Sequence, residues 1–91
     1  MIDSYSDKET AKVAAGEVSK KLPRQIQEGA REKLVLLASI AKIEDLWAFP
    51  SLKAKRIGKG WSIRINDQWR ITFLWDTTTG AASQVGIEDY H

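Results

Sequence analysis

The sequence predicts an α+β fold: a short N-terminal strand, then two helices packed on one face of an antiparallel sheet of three to four strands. Three observations predict it. The apolar period changes from that of a helix to that of a strand in mid-chain. The turn segments "NDQ" and "DTTTG" separate the strand-like runs of the second half. Helical and strand segments are segregated along the chain rather than alternating, which favours an α+β arrangement over a parallel α/β one. With 91 residues, the whole of 1–91 is expected to form one domain.

The elements follow in order. In "IDSYS", Ile2 and Tyr5 with polar Asp3 between them suit a short strand. "SDKETAKVAAGEVSKK" reads as a helix, with Ser6 or Asp7 as its cap and Glu9 in the first turn, where the helix dipole favours negative charge. Gly16 weakens its middle, so the helix is expected to be short or frayed. "LPRQIQEGAREKLVLLASIA" is the stronger helix. Pro23 suits its first turn. Ile26, Ala30, Leu34, Leu37, Ala38 and Ala41 form its apolar face. Gln27, Glu28, Arg31 and Glu32 supply the polar side. "IEDLWAF" adds one further turn before Pro50.

From there the period is two. "WSIRIN" sets Trp61, Ile63 and Ile65 on one face, and "WRITFLW" sets Trp69, Ile71, Phe73 and Trp75 on one face. "NDQ" makes the hairpin between them. "DTTTG" makes a second turn before "SQVGIED", which carries Val85 and Ile87. Trp61, Trp69 and Trp75 are assigned to the core, and Trp47 to the surface. The same alternation aligns Ser62, Arg64, Arg70, Thr72 and Glu88 on the face away from the helices.

Composition narrows the functional classes. Hydrophobic residues make up 43% and charged residues 29%, as in a globular domain. Cysteine is absent and there is one histidine. Disulfides and thiolate zinc sites are thereby excluded, and no metal or cofactor is expected. The polar N-terminal stretch does not read as a signal peptide, and "LVLLASIA" is too short to span a membrane. A cytoplasmic protein with no membrane partner is expected. The net charge is +2, but Leu52–Arg70 holds six basic residues and one acidic. That concentration favours polyanionic partners, nucleic acid among them.

"SIRINDQWRITF", followed one strand later by "EDYH", resembles the HigB toxins of bacterial toxin–antitoxin systems, within the RelE/ParE superfamily. The opening "MIDSYSDKETAKV" and the segment "KLVLLASI" with "IEDL" are similar too, so the resemblance covers nearly the whole chain. It implies a RelE-like fold and a metal-independent endoribonuclease that cuts messenger RNA on the translating ribosome. It implies a HigA-like helix-turn-helix antitoxin as partner, with operator DNA bound only through the antitoxin complex. It implies Arg70, Tyr90, His91 and Lys53 as catalytic residues. One extra residue between "LK" and "WS" leaves Lys55 or Arg56 as alternatives to Lys53. Lys55, Arg56, Lys59 and Arg64 are the expected RNA and ribosome contacts.

The chemistry suits these residue types. A ribose 2′-hydroxyl attacks the adjacent phosphorus, so the protein must move protons and stabilise phosphoryl charge. Arginine offers a charged fork for phosphate oxygens. Histidine titrates near neutral pH. Tyrosine can stack on a base or bond a phosphate. The chain departs from some HigB members at Phe49, where they carry a histidine. Two other readings remain open: a ParE-like toxin directed at DNA gyrase, and a non-catalytic RNA-binding module of the same fold.

Overall fold

A computed structural model of the chain describes residues 1–90. It has the expected α+β architecture, with helices against one face of a four-stranded antiparallel sheet. Helix α1 spans Lys8–Ala14 and α2 spans Arg24–Ser39. Two 3-10 turns, Ile43–Ala48 and Pro50–Leu52, lead into the sheet. Its strands are β1 (Lys55–Ile57), β2 (Gly60–Arg64), β3 (Trp69–Asp76) and β4 (Ala81–Asp89), side by side in sequence order.

Asp7 caps α1: its side-chain oxygen accepts from the Thr10 amide at 2.7 Å. The helix is shorter than "SDKETAKVAAGEVSKK" suggests. Gly16 does not sit within it but lies just past its end, at φ +85°. That left-handed conformation is nearly free of cost for glycine and stops the helix there.

The N-terminal strand is reduced to two isolated parallel bridges, Ile2 to Ala82 and Tyr5 to Val85. Residues 1–6 therefore run along the outer edge of β4. The same edge receives Thr10 of α1, whose hydroxyl accepts from the Ile87 amide at 3.0 Å. An edge strand so covered cannot pair with another chain.

The core lies between α2 and the sheet. Ile26, Ala30, Leu34 and Leu37 are buried there with Ile63, Ile71, Phe73, Val85 and Ile87. Two expected members of the α2 face differ. Ala38 and Ala41 are exposed, and Ala41 lies beyond the helix end. Ile40 and Ile43 are buried instead, because the chain turns out of the helix at Ile40.

Gln27 also departs from its expected polar surface. It is buried, and its amide binds the backbone of the segment linking the helices. Its oxygen accepts from Ser19 N–H at 2.9 Å, and its nitrogen donates to Ser19 and Leu22 carbonyls, both at 2.8 Å. Gln27 thus replaces secondary structure for the buried Ser19 of that loop, whose backbone groups must find partners. Trp61, Trp69 and Trp75 pack against the core yet stay half-buried.

Turn chemistry fixes the sheet register. Asn66 Oδ1 accepts from the amides of Gln68 at 2.9 Å and Trp69 at 2.8 Å. Asp76 does the same for Thr78 and Thr79 in the next hairpin. The resulting register sets Arg64 opposite Arg70, Arg70 opposite Glu88, and Lys55 opposite Ser62.

Candidate nucleic-acid interface

Paired residues share a face of a sheet, so the register alone assembles this site. Lys55, Ser62, Arg64, Arg70, Thr72 and Glu88 all project from the face away from the helices. Tyr90, two residues beyond Glu88, joins them. Its backbone amide donates to the Gln68 carbonyl at 2.7 Å, which ties the chain end to the β2–β3 hairpin.

The Tyr90 ring collects two cations from β1 and β3, which flank β2. The Arg70 guanidinium lies 4.8 Å from its centroid and the Lys55 ammonium 5.1 Å. Both distances are within cation–π range. The ring is 45% exposed, so the cluster faces solvent. Arg70 is fixed further by Ser62, whose hydroxyl accepts from Nη1 at 3.0 Å. Ser62 is 0% exposed although it stands on the outer face. The long side chains around it roof it over.

Like charges placed directly opposite are destabilising. Arg64 and Arg70 avoid this differently. Arg64 forms an ion pair with Asp67 in the hairpin. The hydrogen bond from Arg64 to the Asp67 carboxyl, aided by the positive charges of Arg64 and Lys53, holds that carboxyl below the usual carboxylate range. Arg70 leans instead on the π face of Tyr90. Glu88, its other cross-strand neighbour, accepts a hydrogen bond from Thr72. Among the described residues, no carboxylate lies in ion-pair range of Arg70 or Lys55. Two neighbouring cations that no described carboxylate neutralises can attract an anion.

The expected site residues divide accordingly. Arg70 and Tyr90 come together, and Lys55 joins them. Lys53 is exposed just before β1, in a left-handed conformation at φ 45°. Arg64 is on the same face but is committed to Asp67. Lys59 occupies the β1–β2 turn at the opposite end of the sheet. Arg56 projects from the other face, with its guanidinium 5.5 Å from the Trp61 ring centroid. There Trp47 packs on Trp61 at 5.6 Å, tilted by 51°. Trp47 and Phe49 are both exposed, and Phe49 links the two 3-10 turns on the way to β1. His91 lies outside the described residues.

Sequence reasoning gave Ser62, Thr72 and Glu88 a face but no role. Ser62 positions Arg70 and Thr72 positions Glu88. The signal for both was strand alternation, which needed only the register. Among the described residues, no group of three or more His, Asp or Glu side chains can hold a metal ion. No helix of the described residues is long and apolar enough to cross a membrane. No family model matches the chain, and no curated protein matches it.

Proposed function

We propose that the chain is a metal-independent endoribonuclease toxin that cuts messenger RNA on the translating ribosome. It resembles HigB toxins in the motifs quoted above. One observation carries the reading. Arg70 and Lys55 share the Tyr90 ring on an exposed face, and no carboxylate among the described residues neutralises them. A phosphodiester supplies negative charge, and an arginine fork matches its oxygens.

In the reaction, the ribose 2′-oxygen bonds to phosphorus and the bond from phosphorus to the 5′-oxygen breaks. A cyclic phosphate and a 5′-hydroxyl end result. The 2′-hydroxyl proton leaves to a base, and the 5′-oxygen gains a proton from an acid. Arg70 and Lys55 stabilise charge on the phosphoryl oxygens, a large contribution in such reactions. Tyr90 holds both cations and orients the substrate. His91, the single imidazole of the sequence, is assigned to proton transfer. Silencing falls to a HigA-like helix-turn-helix antitoxin, and operator DNA is met only through that complex. The cytoplasm is the compartment where such a target exists.

A second reading keeps the RNA-binding face without cleavage. Phe49, standing where some HigB members carry a histidine, favours it. Inducing the chain alone in bacteria and mapping RNA ends separates the readings. Cuts within translated messages are the expected result. Growth without new RNA ends selects the non-catalytic module. DNA damage with intact messages selects a gyrase-directed toxin.

A further inference from the structure

The face that carries Tyr90 continues beyond it. Toward the other end of the sheet it opens into a depression of about 290 Å³, lined by Ile57, Lys59, Gly60, Thr72, Leu74 and Gln84 among others. Thr72 belongs to both places: it lines the depression and binds Glu88 in the site already described. Arg70 and Leu74 are four residues apart on β3, about 13 Å at the usual strand rise. A strand of RNA anchored at Arg70 and Lys55 can therefore place a neighbouring nucleotide here.

The depression is built rather than incidental. Gly60 forms part of its floor, and a Cβ there would come within 2.6 Å of the Phe73 carbonyl oxygen. A larger residue cannot stand at that point without displacing backbone. Beside it, β4 breaks register between the pairs Thr72–Gly86 and Leu74–Ser83. Gln84 sits in this bulge at φ 50°, a conformation that L side chains adopt rarely and at a cost. Bulges re-aim side chains and cluster beside functional sites. This one is secured from the far side: the Gln84 backbone N–H donates to the Ser4 hydroxyl at 3.0 Å. The Gln84 side-chain amide is exposed and has no hydrogen-bond partner among the described residues.

We infer that this depression is a base-reading subsite for the nucleotide next to the one clamped at Arg70 and Lys55. Exposed Leu74 and half-buried Ile57 provide an apolar bed for the face of a base. The Gln84 amide offers a donor and an acceptor to its edge, as glutamine does in base recognition generally. Lys59 supplies positive charge for the adjoining phosphate. The inference rests on the proposed RNA-cleaving function and adds to it a residue that selects sequence. Gln84 acts on selection, whereas Arg70 acts on the phosphate common to every sequence.

The test compares the bases flanking mapped cuts in cells expressing the full chain, Gln84→Gly or Leu74→Ala. Glycine suits φ 50° better than glutamine, so Gln84→Gly removes the amide while keeping the bulge. Wild type is expected to show a base bias at one flanking position. Gln84→Gly is expected to flatten that bias on the order of tenfold in the cuts that remain, the size of one lost base contact. Leu74→Ala is expected to flatten it in the same direction. An unbiased wild type, or a bias intact in both variants, overturns the subsite and leaves the endonuclease standing. A folded Gln84→Gly protein that leaves no cuts also overturns it, because the residue would then serve the reaction and not selection. Absence of any cutting by wild type overturns the endonuclease reading together with the subsite.

Discussion

Arg70 is the residue on which the site turns. It holds three relationships at once: a hydrogen bond to Ser62, a π contact with Tyr90, and a cross-strand place between Arg64 and Glu88. Arg70→Ala is expected to lower cleavage by about 10²- to 10³-fold, as when one preorganised charge-stabilising donor is lost. Arg70→Lys keeps the charge and loses the fork, so it is expected to recover only part of the activity. Tyr90 separates ring from hydroxyl. Tyr90→Phe retains the contacts with Arg70 and Lys55, whereas Tyr90→Ala removes them. Comparable RNA affinity in wild type and Tyr90→Phe, with weaker binding in Tyr90→Ala, is the expected pattern in a titration with single-stranded RNA. Arg70 was legible in the sequence because alternation sets it on the outer face, and Tyr90 through the resemblance carried by "EDYH". That Lys55, and not Lys53, stands beside the Tyr90 ring was not. It depends on Lys53 taking a left-handed conformation before β1 begins, which no local pattern announces.

At the scale of elements, the sheet was more readable than the helices. Both later hairpins carry their own instructions in Asn66 and Asp76. The β1 strand has three residues and little alternation to display. Helix α1 is short, as expected, but Gly16 stops it from just past its end and does not weaken its middle. Gln27 was misread because its partners, Ser19 and Leu22, lie in a loop that only tertiary folding brings close. Gln27→Leu keeps similar bulk but strands the buried Ser19 groups. It is expected to cost about 1–3 kcal/mol per unsatisfied group, measured by urea denaturation. Leu34→Ala, at a site 1% exposed, is expected to cost about 2–5 kcal/mol in the same experiment.

The whole molecule joins a helical layer, which supplies the core, to a sheet whose outer face carries charge. The response to acid is set by carboxyls spread over both parts. Glu9, Asp45 and Asp67 sit below the ordinary carboxylate range: Glu9 through the Ser19 hydroxyl, Asp45 through the backbone amides of Lys42 and Ala41, and Asp67 through Arg64. A carboxyl depressed in the folded state stabilises the fold above its unfolded pKa. That contribution is lost as pH falls through the lower, folded value. Stability is expected to decline on the acid side of the carboxylate range, and Asp45→Asn is expected to flatten the decline. Denaturation midpoints at a series of acid pH values measure both. The most direct measurement for the molecule as a whole is a translation reaction with purified ribosomes and a defined message, resolved by primer extension. Wild type should cut the message while it is being translated, and a folded Arg70→Ala protein should leave it whole. An intact message with wild type, or identical cuts with Arg70→Ala, would contradict the account.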